Sequence, residues 1–96
     1  MMIKMNKKKK GYILLELAPR SPPMKFKRYI TNHFLKNCEG YCCGITGKFN
    51  LMIEIQIDAI SDIDKIITSI RQDVELESHI IRTLTYLGTQ HLRVYN

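Results

Sequence analysis

The segment from Phe49 to Asp58 has an apolar residue at every second position, and the residues between them are polar except for Met52. A period of two is typical of a β-strand with one face in a core and the other face open. Thr46, Gly47 and Lys48 come just before it, and glycine readily supplies the positive φ that a tight turn requires. A second segment, Tyr41 to Thr46, leads into this turn as another strand. The pattern therefore predicts a β-hairpin in the middle of the chain.

Two segments with helical spacing flank the hairpin. Met24 to Lys36 follows a proline-rich break, and Ser21 is placed to cap this first helix. The second helix comes after the hairpin and starts with Ser61-x-x-Asp64, a variant of the capping box. Its apolar residues recur at i, i+3, i+4 and i+7, as in a helix packed on a core. They are Ile63, Ile66, Ile67 and Ile70.

Short strands are predicted on the outer side of each helix, from Tyr12 to Leu17 and from Ser78 to Leu87. An acidic loop, Asp73 to Glu77, separates the second helix from the last strand. The resulting order is β-α-β-β-α-β. With right-handed crossovers, it predicts an α+β fold, a ferredoxin-like sandwich of one four-stranded antiparallel sheet with two helices on one face.

The second face of such a sheet has no helices to cover it. Met52 and one of Leu14 and Leu15 would lie on it. An apolar sheet face of this kind usually packs against another copy of the same protein, so we expect a homodimer.

The basic charge of the chain is concentrated at its start. The formal net charge is +6, and Lys4 together with Lys7 to Lys10 supplies five of the 15 lysines and arginines. We predict a basic disordered tail over residues 1–10 and a single folded domain over residues 11–96. A lysine run also attracts phosphates without reading sequence. Contact between this tail and nucleic acid is therefore a second interpretation.

Apolar runs in the chain are too short for a membrane helix, which needs about 20 residues. The basic start lacks the apolar core and the cleavage site of a signal peptide. We expect a cytoplasmic protein with no membrane partner.

Few residues have the spacing that a metal site or a catalytic site requires. Cys38, Cys42 and Cys43 lie near His33, but Cys42 and Cys43 are neighbours on a predicted strand and would point to opposite faces. A zinc site is not expected, and no other metal or cofactor is expected either. No nucleophile, acid–base pair or phosphate loop has convincing spacing, so the chain is not expected to be an enzyme.

Two surface features of the third strand bear on other functions. Glu54 and Asp58 form a possible carboxylate pair, which we interpret as solvated or interfacial charge. RNA-binding modules of this topology stack bases on aromatic residues of the central strands. The face bearing Asn50, Met52, Glu54 and Gln56 offers no aromatic residue, which argues against that function.

One combination of motifs resembles a known family. The run Thr46-Gly47-Lys48-Phe49-Asn50 is followed by the alternating strand, the amphipathic helix and Thr83-Leu84-Thr85. This resembles the effector-binding (RAM) domain of the Lrp/AsnC family of regulators, whose members show T-G-x-aromatic-D and T-x-T at these places. The resemblance implies a pocket between dimers, formed by the hairpin turn of one dimer and the last strand of another. It assigns ligand binding to Thr46, Gly47, Asn50, Thr83 and Thr85.

This sequence departs from the family in two ways. Asn50 stands where members most often have aspartate, so recognition of a ligand's ammonium group would be weaker. Family members also carry a helix-turn-helix domain ahead of the sensor, whereas only residues 1–10 precede the first strand here. The resemblance therefore implies a stand-alone module without specific DNA binding of its own.

The expected function is to sense a small amino acid. The module would modulate transcription through its own oligomerisation, as a dimer or an octamer of four dimers, or by co-assembly with full-length Lrp/AsnC regulators. Two alternatives stay open. One is a dimeric ferredoxin-like enzyme of the monooxygenase type, which would need a cavity between sheet and helices. The other is an assembly module without a ligand.

Overall fold

Four strands and two helices form the part of the chain that the computed structural model describes, residues 9–89. In chain order they are β1 (Lys9–Leu17), α1 (Pro23–Phe34), β2 (Gly40–Gly44), β3 (Leu51–Ile57), α2 (Ile60–Gln72) and β4 (Ile80–Thr89). The strands form one antiparallel sheet, so the chain has the α+β, ferredoxin-like fold predicted from its sequence. Residues 1–8, which make up most of the predicted tail, lie outside the described range. Lys9 and Lys10 already belong to β1.

The sheet has the strand order β2-β3-β1-β4, with all neighbours antiparallel. Ile13 of β1 lies opposite Ile53 of β3 on one side and Thr85 of β4 on the other. All three strand pairings join residues 9–44 to residues 51–89. β1 and β3 are central strands, whereas β2 and β4 each have a free edge in the described structure.

The core lies between one face of the sheet and the helices. Alternate residues of β1 and β3 are fully buried, as the period of two predicts; they include Ile13, Leu15, Leu51 and Ile53. Phe26 and Ile30 of α1 and Ile63 and Ile70 of α2 belong to the same cluster. Ile66 and Ile67 of the predicted helix stripe are half-buried at its margin. Branched aliphatic side chains therefore fill the space between sheet and helices.

The start of α1 differs from the prediction. Its N-cap is Pro22, and no side chain caps the helix. The hydroxyl of Ser21 instead makes a 3.0 Å hydrogen bond with Nδ1 of His79. Ser21 was wrongly predicted as the cap because its partner lies far away in the sequence, at the beginning of β4. The bond ties the first residues of α1 to that strand.

The start of α2 also differs. This helix begins at Ile60, and the carboxylate of Asp62 accepts hydrogen bonds from the backbone N–H groups of Ala59 (3.1 Å) and Asp58 (3.2 Å). These bonds hold the pKa of the Asp62 carboxyl below its usual value. The capping box predicted at Ser61 and Asp64 is therefore wrong, and Asp62 performs the role predicted for Asp64 two residues earlier.

The ends of the strands differ from the prediction by a few residues. β1 begins at Lys9 rather than Tyr12, and β4 runs from Ile80 to Thr89. The acidic loop after α2 contains Leu76, which is fully buried in the core. Neither helix of the described range is long and apolar enough to cross a membrane.

Candidate ligand-binding site

The turn between β2 and β3 carries the first two residues of the predicted site. Gly47 has a φ of 125°, which confirms the predicted positive φ. The turn is closed by a 2.9 Å hydrogen bond from the backbone N–H of Ile45 to the carbonyl of Asn50. A Cβ atom built on Gly47 would meet no atom within 4 Å. Thr46 and Gly47 are exposed, so the backbone of this turn is open to a ligand or to another protein chain.

Replacing Gly47 with alanine should destabilise the fold by about 1 kcal/mol, because a side chain disfavours the left-handed region. There is space for the methyl group, so the cost comes from the backbone alone. Gly44 provides the control, since it lies in β2 without positive φ and its nearest neighbour would be 3.9 Å away. Denaturant unfolding of both variants measures the difference. Equal stability of Gly47→Ala and Gly44→Ala would contradict a strained turn.

Asn50 is held by three hydrogen bonds to other strands and turns. Its Oδ1 accepts a 2.7 Å hydrogen bond from the backbone N–H of Leu17. Its own N–H donates to the carbonyl of Leu15 at 2.9 Å, and its carbonyl closes the turn. The residue predicted to contact ligand therefore attaches the end of β1 to the hairpin. Within the described residues, only its Nδ2 group has no hydrogen-bond partner.

Thr83 and Thr85 lie on β4, on the face of the sheet that the helices cover. Their register places them opposite Leu15 and Ile13, both of which are buried in the core. The hydroxyl of Thr83 accepts a 3.0 Å hydrogen bond from Nη1 of Arg71, at the end of α2. Thr83 is half-buried and Thr85 is exposed. Arg71 thus adds a positive charge beside this half of the site, which the sequence alone did not reveal.

The structure does not bring the two halves of the predicted site together in one chain. Thr46 and Gly47 follow β2, whereas Thr83 and Thr85 belong to β4, and these strands form the two edges of the sheet. Asn50 lies between the edges, because it precedes β3 and bonds to Leu15 and Leu17 of β1. Three interstrand spacings, or about 14 Å, separate the edges. A small ligand that contacts both Gly47 and the threonines of β4 would therefore have to bind between two copies of the chain.

The uncovered face of the sheet contains an aromatic row and an apolar row. Tyr41, Glu54, Tyr12 and Tyr86 lie opposite one another across all four strands. The next row consists of Cys43, Met52, Leu14 and Leu84. We refer to these eight residues as the open face. Tyr41 and Tyr86 are 49% and 54% exposed, and Leu84 is 38% exposed.

The sequence-based expectation that this face offers no aromatic residue is wrong. It considered β3 alone, whereas the tyrosines belong to the other three strands. The alternation of Tyr12, Leu14 and Glu16 within β1 was the signal that placed one tyrosine outside the core.

Ion pairs neutralise the acids of this side of the sheet. Glu54 accepts a 2.8 Å hydrogen bond from the Tyr41 hydroxyl and lies 3.2 Å from the Lys10 ammonium. The bond from Tyr41, and to a smaller extent Lys10, holds the pKa of the Glu54 carboxyl below its usual value. Glu16 lies 3.4 Å from Nε of Arg82. Asp58, the other member of the possible carboxylate pair, lies beyond the end of β3. The carboxylate of Glu54 is engaged with Tyr41 and Lys10.

The cysteines and histidines do not form a metal site among residues 9–89. Cys42 is buried opposite Ile53, while Cys43 lies opposite Met52 on the open face, so neighbouring cysteines point to opposite sides as predicted. Burial raises the pKa of the Cys42 thiol to about 11. His33 stacks on Tyr29 with ring centres 4.0 Å apart. These groups contribute to packing.

A surface cleft of about 380 Å³ lies between the loop after α1 and the start of α2. Asp58, Asp62 and Lys65 line it, together with apolar residues from the end of β3. None of the five predicted site residues borders this cleft. It is a separate place where a small charged molecule has room to bind.

Comparisons with known proteins bear on the fold. No protein-family model and no curated protein matches the sequence. The fold does have a solved counterpart. The crystal structure of a hypothetical protein from Pyrococcus horikoshii is similar, with a TM-score of 0.56 and 20% sequence identity. The match covers 83% of this chain and 88% of that one. At this identity the likeness concerns the fold alone.

Proposed function

We propose that the chain is an effector-binding module of the Lrp/AsnC type, which binds a small amino acid within an assembly of its own copies. The observation that carries the proposal is the division of the candidate site between the two edges of the sheet. Thr46 and Gly47 lie at one edge and Thr83 and Thr85 at the other, with Asn50 between them beside β1. Such a site is complete only when one copy supplies the turn and another supplies β4.

Each half of the site suits a different part of an amino acid. At β4, the Arg71 guanidinium donates to Thr83, whose own hydroxyl hydrogen remains available to a carboxylate. At the turn, Asn50 uses Oδ1 for the Leu17 N–H and can offer only its Nδ2 hydrogens. An ammonium group would therefore bind the Thr46 hydroxyl or turn carbonyls. We propose Arg71 as an additional residue of the site.

The open face supports the assembly part of the proposal. Leu14, Met52 and Leu84 form a continuous apolar row beside three tyrosines, and the flanking charges are already paired. Packing against the same face of a second copy would remove these side chains from water. A ligand shifts the equilibrium between assemblies only if it binds one of them better, typically by about 1–3 kcal/mol. A change of assembly would then alter co-assembly with full-length regulators.

The experiment is a thermal-shift screen against the twenty amino acids, with mass determined by light scattering in parallel. A ligand at 100 times its dissociation constant should add about 2.7 kcal/mol, several degrees for a domain of this size. The shift should be lost in Arg71→Ala and in Thr85→Val, which alter one half of the site. Asp58→Asn and Lys65→Ala serve as controls that alter only the separate cleft.

The outcomes separate the parts of the proposal. A shift lost in the cleft variants but kept in Arg71→Ala would place the ligand elsewhere. A stable dimer or octamer whose melting temperature no amino acid changes would contradict the sensor function. The chain would then be an assembly module without a ligand. A monomer at all concentrations would contradict the assembly on which the site depends.

The aromatic row favours one second candidate, which is binding of single-stranded nucleic acid. Tyr12 lies on a central strand, with Tyr41 and Tyr86 in the same row, and bases stack on such side chains. This use of the open face competes with dimerisation. Binding of a single-stranded RNA to a monomer, lost in Tyr12→Ala, would favour this candidate.

A further inference from the structure

The helix layer is divided into a basic half and an acidic half. Residues 18–38, which include α1, contain five basic residues and no acid. Residues 58–78, which include α2, contain six acids and two basic residues. We call the five basic residues of the first segment the α1 basic face. They are Arg20, Lys25, Lys27, Arg28 and Lys36.

The α1 basic face is accessible and its charges are unpaired. Four of its five side chains are exposed, and Lys27 is half-buried. Among residues 9–89, none of the five forms an ion pair. The cations of the opposite side of the molecule behave differently, because Lys10 and Arg82 are both paired with carboxylates. The α1 basic face therefore keeps its full charge for an external partner.

Two shallow grooves run along this face and share Arg28. One, of about 220 Å³, is lined by Lys27, Thr31 and Asn32 besides Arg28. The other, of about 230 Å³, includes Lys25 and His33, with Glu75 at its far side. Arg28 and Asn32 line both grooves, so cationic groups lie beside a hydroxyl and an amide along two adjacent ridges of α1. Such donors bind phosphate oxygens.

The aromatic residues of α1 are not available for stacking on bases. Phe26 is buried in the core, and the Tyr29 hydroxyl donates to both carboxylate oxygens of Asp73 at 3.1 and 3.0 Å. Charge and hydrogen bonds therefore dominate the contacts that this face can make, with the exposed Met24 as an apolar neighbour in one groove. Duplex nucleic acid presents closely spaced anions along its backbone, which suits such a group of cations.

We propose that the α1 basic face binds the phosphate backbone of duplex nucleic acid without reading its sequence. The proposal does not rest on the amino-acid site. It is compatible with a dimer formed through the open face, because α1 lies on the other side of the sheet. In such a dimer both α1 basic faces point outward and can bind at once. The module would then be held near DNA.

The test is fluorescence anisotropy of the full chain with two short duplexes of unrelated sequence, over a range of salt concentrations. Equal affinities for the two duplexes are expected. In Lys25→Glu/Arg28→Glu the slope of log K against log salt should fall by about 2, and affinity at low salt should fall by roughly tenfold or more. The control is Lys48→Glu/Lys65→Glu, which makes the same change in net charge at exposed sites away from α1. It should keep most of the affinity.

Several results would overturn the proposal. An equal loss of affinity in the control variant would mean that binding depends only on the net charge of the protein. A loss in a variant with Lys4, Lys7 and Lys8 changed to glutamine, with no loss in the α1 variant, would assign binding to the tail. Stronger binding to single strands, abolished by Tyr12→Ala, would assign it to the open face. Binding to vesicles of anionic lipid without binding to either duplex would identify a membrane surface instead.

Discussion

Leu84→Glu is expected to convert the proposed homodimer into a monomer. Leu84 lies on the open face in one row with Leu14 and Met52, and it is partly exposed in the single chain. A glutamate there remains solvated in the monomer, so the fold should tolerate it. In a twofold interface both copies would bury a carboxylate without a partner. Two such groups should cost the dimer at least about 4 kcal/mol, which weakens it about a thousandfold.

The mass of Leu84→Glu, measured by light scattering at several concentrations, checks this expectation. Val74→Glu is the matched control, because Val74 is also an exposed apolar residue but lies in the turn after α2. It should leave the mass unchanged. Circular dichroism of both variants establishes that the sheet is intact. A Leu84→Glu protein with the mass of the parent would mean that the open face is not the interface.

Asn50→Ala is expected to destabilise the fold by about 1–3 kcal/mol, because it removes the acceptor of the Leu17 N–H. Leu17 is almost fully buried and the bond is partly buried, so water is expected to replace the lost acceptor only in part. Asn50→Asp keeps an oxygen at the same place and should cost much less. Urea unfolding of the two variants gives the difference. If alanine and aspartate are equally tolerated, the 2.7 Å bond does not hold β1 to the hairpin.

The structural role of Asn50 changes how a binding experiment should be read. Loss of an amino-acid response in Asn50→Ala would follow from a disturbed turn as readily as from a lost ligand contact. Asn50→Asp is the better probe, because it preserves the attachment and alters only charge and donor capacity. Arg71→Ala and Thr85→Val test the other half of the site without touching the turn.

Local patterns predicted the parts of the fold that depend on local chemistry. The period of two in β3 identified its buried face, because one side of that strand packs on the helices throughout its length. The glycine at position 47 predicted a positive φ, since few other residues adopt it without strain. The order of elements then limited the topology to a small number of arrangements. Fold class followed from these three facts.

Contacts between distant residues could not be predicted in the same way. The row of tyrosines depends on the register of three strand pairings, and no local pattern specifies which residue of β4 lies opposite Tyr12. Asn50 and Leu17 are 33 residues apart, and Ser21 and His79 are 58 apart. In both cases a polar side chain found a partner in another element, whereas sequence reasoning assigned it to a ligand or to a nearby helix.

The pairing of the strands also determines how the domain must fold. Residues 9–44 and residues 51–89 each contain two strands and one helix, yet neither half has a pair of its own strands hydrogen-bonded together. Every strand of one half therefore pairs only with strands of the other half. Neither half can therefore keep a hydrogen-bonded sheet while the other half is unfolded. Formation and loss of the structure should therefore be all-or-none events, with a rate governed by the search for contacts far apart along the chain.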